Sequence, residues 1–235
     1  MAIDFESFTL VAATADLGDE PVARETADAL EFRMDMTTDP LAALADYDGD
    51  LPLVATNRPN WEGGQRQESP GRLAELETAV EHEAVGAVDV ELAALRGDGS
   101  SEISATEAAA VVDRARETDT SVVVSTHDFE RTPDRETLRA LLDAASESGD
   151  VAKLAVTATG PADTLAVLAV TQAATADGQS VATMAMGAAG RHTRAVAPLY
   201  GSKIGYAPVD PAGATAPGQY DLETLAGLVE RLQSE

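Results

Sequence analysis

The segment ALEFRMD, residues 29–35, alternates strictly: Leu30, Phe32 and Met34 are apolar, and Glu31, Arg33 and Asp35 between them are charged. Such a period of two marks a β-strand with unlike faces. Which face lies inside depends on the neighbouring segments. Short apolar runs of this kind alternate with longer acidic, alanine-rich segments of helical spacing almost from end to end. The strand candidates are FTLVAAT (8–14), ALEFRMD (29–35), LPLVATNR (51–58), AVDVEL (87–92), SVVVSTH (121–127), VAKLAVTA (151–158), SVATMAM (180–186) and KIGYAPV (203–209). Helices are expected at DEPVARETADA, SPGRLAELETAVEHEA, ISATEAAAVVDRARET, TPDRETLRALLDAASES, PADTLAVLAVTQAATA and DLETLAGLVERLQSE. Eightfold strand–helix repetition predicts an α/β fold of the TIM (β/α)8 barrel type, with residues 1–235 as one catalytic domain. Helices sheathe such a barrel, so the apolar face of 29–35 points outward and Glu31, Arg33 and Asp35 point inward. An exposed edge strand gives the same alternation with its charges in water. An open doubly wound sheet is the competing architecture, but TADLGDE follows the first strand where a glycine-rich phosphate loop would stand.

Composition sets the chemical class. The chain has 235 residues, 44% of them hydrophobic, which is enough for a substantial core. Its 41 Asp+Glu against 16 Lys+Arg give a net charge of −25, which argues against nucleic-acid or anionic-membrane partners. There is no cysteine, so disulfides, thiolate metal sites and a thiol nucleophile are excluded. The start, MAIDFESFTL, lacks a basic leader, and no run of about 18 apolar residues follows, so a soluble cytoplasmic protein is expected. The carboxylate pairs lack a histidine at ligand spacing, and neither a metal nor an organic cofactor is expected.

The chain has just two lysines, Lys153 and Lys203, and the first stands inside the apolar run DVAKLAVTAT (150–159). Strand alternation puts Lys153 on the face of Val151 and Ala155, opposite Ala152, Leu154 and Val156. In such surroundings the amine is partly desolvated, which lowers its pKa and frees it to attack a carbonyl. The other reading is a lysine paired with an interior carboxylate such as Glu31. Barrel active sites sit at the carboxyl ends of the strands, and those ends carry Glu31, Arg33, Arg58, His127, Lys153, Met184 and Met186. His82 falls in a charged helix and reads as a surface residue. His192 lies in a glycine-rich loop and could serve either purpose. His127 closes the run VVVSTH beside the lysine strand, which suits an acid/base role as well as a hydrogen-bonded rim residue.

Taken in order, EFRMD (31–35), RPNWEGG (58–64), DVEL (89–92), STHDFERTP (125–133), VAKLAV (151–156), MAMGAAGRHTR (184–194), YGSKIGYA (200–207) and APGQ (216–219) resemble the type I 3-dehydroquinate dehydratases of the shikimate pathway of aromatic amino-acid biosynthesis. The resemblance implies that Lys153 forms a Schiff base with the C3 ketone of 3-dehydroquinate, a task a guanidinium cannot perform. It implies further that His127 is the general acid/base and Glu62 the carboxylate that orients it. Arg194 would clamp the substrate carboxylate, Glu31, Arg33 and Arg58 would hold the ring hydroxyls and each other, and Met184 and Met186 would pack on the ring. Gln219 would lie on a closing loop, where Thr215 stands in place of the serine common in the family. A homodimer is also implied. A class I aldolase would likewise place a lysine on the sixth strand, but it leaves EFRMD, THDF and APGQ without a role. A non-catalytic metabolite-binding protein would not require lysine, histidine and carboxylate together. The excess of acid over so few lysines, finally, resembles the surface of proteins adapted to concentrated salt.

Overall fold

A computed structural model of the chain describes residues 3–99, 103–210 and 216–234. Its strands are β1 (Thr9–Thr14), β2 (Ala29–Arg33), β3 (Leu53–Thr56), β4 (Val85–Glu91), β5 (Ser121–Asp128), β6 (Val151–Thr157), β7 (Val181–Met186) and β8 (Ile204–Pro208). All pair in parallel, in the order β7-β6-β5-β4-β3-β2-β1-β8. The seam between β7 and β8 is drawn together by a bridge between Val181 and Ser202. There the Lys203 N–H donates to the Val181 carbonyl at 2.7 Å, and the Thr183 N–H to Ser202 Oγ at 3.0 Å. The sheet thus comes nearly round into the barrel that the repetition predicts, and each expected strand is present with its ends shifted by no more than two residues.

Five of the expected helices are present, as Pro70–Ala79, Ala105–Glu117, Arg135–Ser146, Pro161–Ala176 and Leu222–Gln233. Acidic residues help start several of them. Ser104 and Glu107 form a reciprocal capping box, and Asp134 and Asp221 accept from the N–H groups of Thr137 and Thr224. These contacts satisfy orphan donors and complement the helix dipole. The first helix is far shorter than DEPVARETADA suggests: one α-turn, Glu20–Ala23, follows a 3-10 turn. Its Glu20 is buried, accepts from the N–H groups of Asp50 and Leu51, and pairs with Arg24 at 2.7 Å. Tertiary hydrogen bonds here take the place of further helical turns. Short helices at Pro40–Ala45, Gly187–Gly190 and Thr193–Val196 stand where the sequence reading named none.

Alternation sorts the strands as a barrel requires. Leu30, Phe32, Met34, Ala152, Leu154 and Val156 belong to the outer core beneath the helices. Val11, Ala29, Val54, Ala87, Val123, Val151, Ala182 and Ile204 fill the barrel itself. They form its floor, because two residues further along most strands the inward position becomes polar: Glu31, Thr56, Asp89, Ser125 and Lys153. One further step brings Arg33, Arg58, Glu91 and His127. The inward face therefore changes from apolar to charged along the strands, and the charged end is the carboxyl end.

Candidate active site

Lys153 lies mid-strand, one inward step deeper than His127, and is 5% exposed. Its Nζ donates to Asp89 Oδ2 at 2.8 Å, stands 3.7 Å from Glu31 Oε1, and lies 4.2 Å from the centroid of the Tyr206 ring. The environment is thus less apolar than its own strand implies, since the carboxylates reach it from β4 and β2 across the barrel. Asp89 also receives Ser125 Oγ at 2.6 Å and Arg58 at 2.6 Å. Burial by itself would raise the Asp89 carboxyl, but Arg58 and Lys153 outweigh burial and hold it far below the usual carboxylate range. Arg58 continues the network to Glu91 at 2.9 Å, and Arg72 meets the other Glu91 oxygen at 3.1 Å. Lys153 and Arg58 are thereby anchored on Asp89, an ionised and fully enclosed carboxylate.

The segment RPNWEGG, which follows β3, brings Glu62 to His127. A side chain at Gly64 would put its Cβ 2.0 Å from the Arg58 carbonyl oxygen, and Gly63 has φ +80°, in the left-handed region. Two glycines therefore let the loop fold back on itself. Glu62 Oε1 then accepts from the His127 backbone N–H at 3.0 Å and meets Nδ1 at 2.9 Å. With Nδ1 engaged, Nε2 is the ring nitrogen left for proton transfer. Burial, followed by Arg58 and Lys153, lowers the imidazole well below its ordinary value. Burial also pushes the Glu62 carboxyl up to about 8, against the pull of Arg58. Glu62 thus orients the ring, while burial first and then Arg58 and Lys153 set its pKa.

Arg194, from the short helix Thr193–Val196, has a different setting. It is 4% exposed, yet no carboxylate among the described residues pairs with it. Its guanidinium reaches Met184 Sδ at 3.5 Å and the Pro217 carbonyl at 3.4 Å, and Nε has no partner. Burial pushes its pKa down to about 10. A buried cation lacking an anion is suited to receive one. Arg33, by contrast, is held by Asp35 through two bonds of 2.8 and 2.7 Å, and Asp35 itself lies just past the end of β2.

These groups surround one cavity at the carboxyl ends of the strands. Glu31, Arg33, Arg58, Glu62, His127, Lys153, Met184, Met186, Arg194 and Gln219 all line it. Thr215 lies outside the described residues. His192 is exposed and His82 sits on the outer surface, where its Nδ1 accepts the Ala84 N–H at 3.3 Å; neither lines the cavity.

Sequence reading assigned no part to Asp89, Glu91, Ser125, Tyr206 or Phe129. The parity rule applied to ALEFRMD finds the first two, because Asp89 and Glu91 alternate with Val88, Val90 and Leu92 just as Glu31 and Arg33 alternate with Leu30 and Phe32. Tyr206 is buried at the cavity wall, and its hydroxyl has no hydrogen-bond partner among the described residues. Burial and then Glu31 and Asp89 raise that phenol well above its ordinary pKa, so it remains an O–H group.

Comparison with known proteins agrees with this geometry. The family model for type I 3-dehydroquinase matches residues 10–234. The 3-dehydroquinate dehydratase of Haloarcula marismortui is 62% identical over 233 residues, covering 99% of this chain and 100% of that protein. That of Halobacterium salinarum is 50% identical over 231 residues, covering 98% and 100% respectively. The crystal structure of 3-dehydroquinate dehydratase from Geobacillus kaustophilus superimposes with a TM-score of 0.84 at 29% identity, covering 97% of this chain and 92% of that one. With the match running almost from end to end, the chain belongs to the type I 3-dehydroquinase family.

Proposed function

We propose that this cavity dehydrates 3-dehydroquinate to 3-dehydroshikimate through a Schiff base on Lys153. The observation that carries the reading is a buried primary amine that lines one cavity with an imidazole held at Nδ1 by Glu62. Attack of the Lys153 nitrogen on the C3 ketone and loss of water give an iminium. His127 takes the proton that the ammonium must shed before attack and returns it to the departing carbinolamine hydroxyl. The iminium withdraws electrons from C2, so His127 removes the C2 proton to give an enamine. Collapse of the enamine expels the neighbouring hydroxyl, to which His127 returns the proton as water departs. Hydrolysis of the conjugated iminium then releases the enone and restores the amine. One histidine thus acts first as base and then as acid, the usual economy of general acid–base catalysis.

Arg194 is assigned to the substrate carboxylate because its charge is buried and uncompensated. Glu31, Arg33 and Arg58 are assigned to the ring hydroxyls, with Gln219 at the mouth and the two methionines against the ring. No helix among the described residues is long and apolar enough to cross a membrane. The reading takes residues 1–235 as one catalytic domain acting on a soluble acid in the cytoplasm, and paired as a homodimer.

The test is direct. The purified protein in molar KCl should convert 3-dehydroquinate to a product with the absorbance of a conjugated enone. Borohydride added with substrate or product should leave a stable adduct on Lys153, located by peptide mapping, and abolish activity. Lys153→Arg should lose both. His127→Ala should still form some trapped imine while turnover falls about 10²–10⁴-fold. An adduct on Lys203, or full activity after borohydride, overturns the mechanism.

A further inference from the structure

Phe129 is one of the few large apolar side chains left in the open, at 41% exposure, and it belongs to neither layer of the core. Its position is fixed rather than incidental. Asp128 Oδ1 accepts from the N–H groups of Glu130 and Arg131, both at 2.9 Å, which sets the turn at the end of β5. Thr132 Oγ1 ties the same turn to the Thr157 carbonyl at 2.8 Å. The Phe129 ring then lies nearly parallel to the His127 imidazole, with centroids 5.9 Å apart and an interplanar angle of 10°. That offset stack is the arrangement ring quadrupoles favour. On another side the ring rests against Gly63, where an added Cβ would fall 2.3 Å from Cζ. The residue before Gly63 is Glu62, which holds Nδ1 of the same imidazole.

We propose that Phe129 is a positioning residue for His127: stacked on the imidazole and braced on Gly63, it presses the ring against Glu62 and closes it to water. The inference rests on His127 being the proton-transfer group, and it adds a residue that acts through that group. It also explains why a glycine follows Glu62, since any side chain there would displace the aromatic ring. The groups that face the imidazole are Glu62 from the loop after β3, Arg58 at the end of β3, Lys153 on β6, Asp89 on β4 and Arg33 on β2. Among the influences on the imidazole, burial is the largest, and it acts with Arg58 and Lys153 to favour the neutral ring. Admitting water would weaken that effect and loosen the ring.

The experiment reads the imidazole itself. With three histidines in the chain, His127 is assigned in NMR spectra by comparison with His82→Gln and His192→Gln, and titrated in the ligand-free enzyme in molar KCl. Phe129→Ala should move the His127 midpoint upward, toward the ordinary value of 6.5, and shift the acid limb of the kcat/KM profile in the same direction. We expect kcat to fall by about tenfold or more while KM changes by less than about threefold. Phe129→Tyr, which keeps the ring, should retain the parent midpoint. Gly63→Ala should reproduce the Phe129→Ala titration by pushing the ring away, and should move the midpoint little further when Phe129 is already alanine. An unchanged midpoint in folded Phe129→Ala overturns the proposal, and so does a change confined to KM, which would make Phe129 a substrate contact only. If Phe129→Ala does not fold, Phe129→Leu and Gly63→Ala decide by the same readings. Because the titration needs no turnover, failure here is distinguishable from failure of the dehydratase reading.

Discussion

Replacing Arg194 with methionine should make the ligand-free protein more stable while depriving it of its substrate. Arg194 is 4% exposed, and burial lowers its pKa from 12.5 to about 10. At about 1.36 kcal/mol per unit, a fall of about 2.5 units corresponds to a destabilisation on the order of 3 kcal/mol. A cation whose folded pKa lies below its unfolded value weakens the fold at every pH below about 10. The whole effect therefore acts at neutral pH. Methionine has comparable reach and no charge, and Met184 Sδ, now 3.5 Å from the guanidinium, offers it an apolar neighbour. Lost contacts such as that to the Pro217 carbonyl at 3.4 Å offset part of the gain. For a chain of this size 1 kcal/mol is worth roughly 2–4 °C, so Tm should rise by about 3–10 °C. A desolvated carboxylate–guanidinium pair is worth about 2–5 kcal/mol when one partner is removed, so KM should increase by about 30-fold or more. Thermal melts with and without product, alongside steady-state kinetics, check both halves. A variant that melts below the parent protein refutes the claim that the charge is uncompensated, and a KM within about threefold refutes the assignment of the anion.

Legibility in the sequence followed the range of the interactions concerned. Strand positions and the inward orientation of Glu31, Arg33 and Lys153 could be read because alternation is local and the apolar faces had to meet the helices. The surroundings of Lys153 could not be read from its own strand. Asp89, 64 residues earlier in the chain, becomes its nearest partner only when the barrel brings β4 and β6 to either side of β5. The same holds for Glu62 and His127, 65 residues apart: RPNWEGG names the carboxylate through its resemblance, but the 2.9 Å contact depends on two glycines and the closing of the barrel. Electrostatics were least legible. A carboxylate beside a histidine suggests a raised imidazole pKa, and only the packed site shows that burial, Arg58 and Lys153 win instead. Phe129 was passed over because an aromatic in a loop carries no periodicity, and its meaning lies in the ring it covers.

Three further outcomes are expected. Asp89→Asn, which leaves Lys153 and Arg58 without their shared buried anion, should destabilise the fold by about 3–5 kcal/mol in denaturant titrations; a loss under about 1 kcal/mol would show that Glu91 and Glu31 suffice. Glu62, raised from 4.5 to about 8, holds a proton in the folded state that the unfolded chain has lost, so its contribution to stability is complete below pH 4.5 and declines as pH rises toward about 8. Glu62→Gln should remove that decline from the stability profile, and a variant with the parent's slope between those limits contradicts the shift. The last outcome concerns salt. With 41 acidic residues against 16 basic ones, the outer surface repels itself in dilute buffer, where the Debye length is about 30 Å at 0.01 M. At about 1 M it shrinks to roughly 3 Å, so repulsion between carboxylates on different helices is removed while contacts such as Lys153 with Asp89, enclosed at 2.8 Å, are barely screened. Tm and activity should therefore climb together from dilute buffer into molar KCl. Because screening alone would saturate once the Debye length falls below the spacing of surface charges, most of the climb should be complete by about 1 M. A Tm that stays flat or falls over that range would mean that the acidity serves solubility and leaves the barrel's stability untouched.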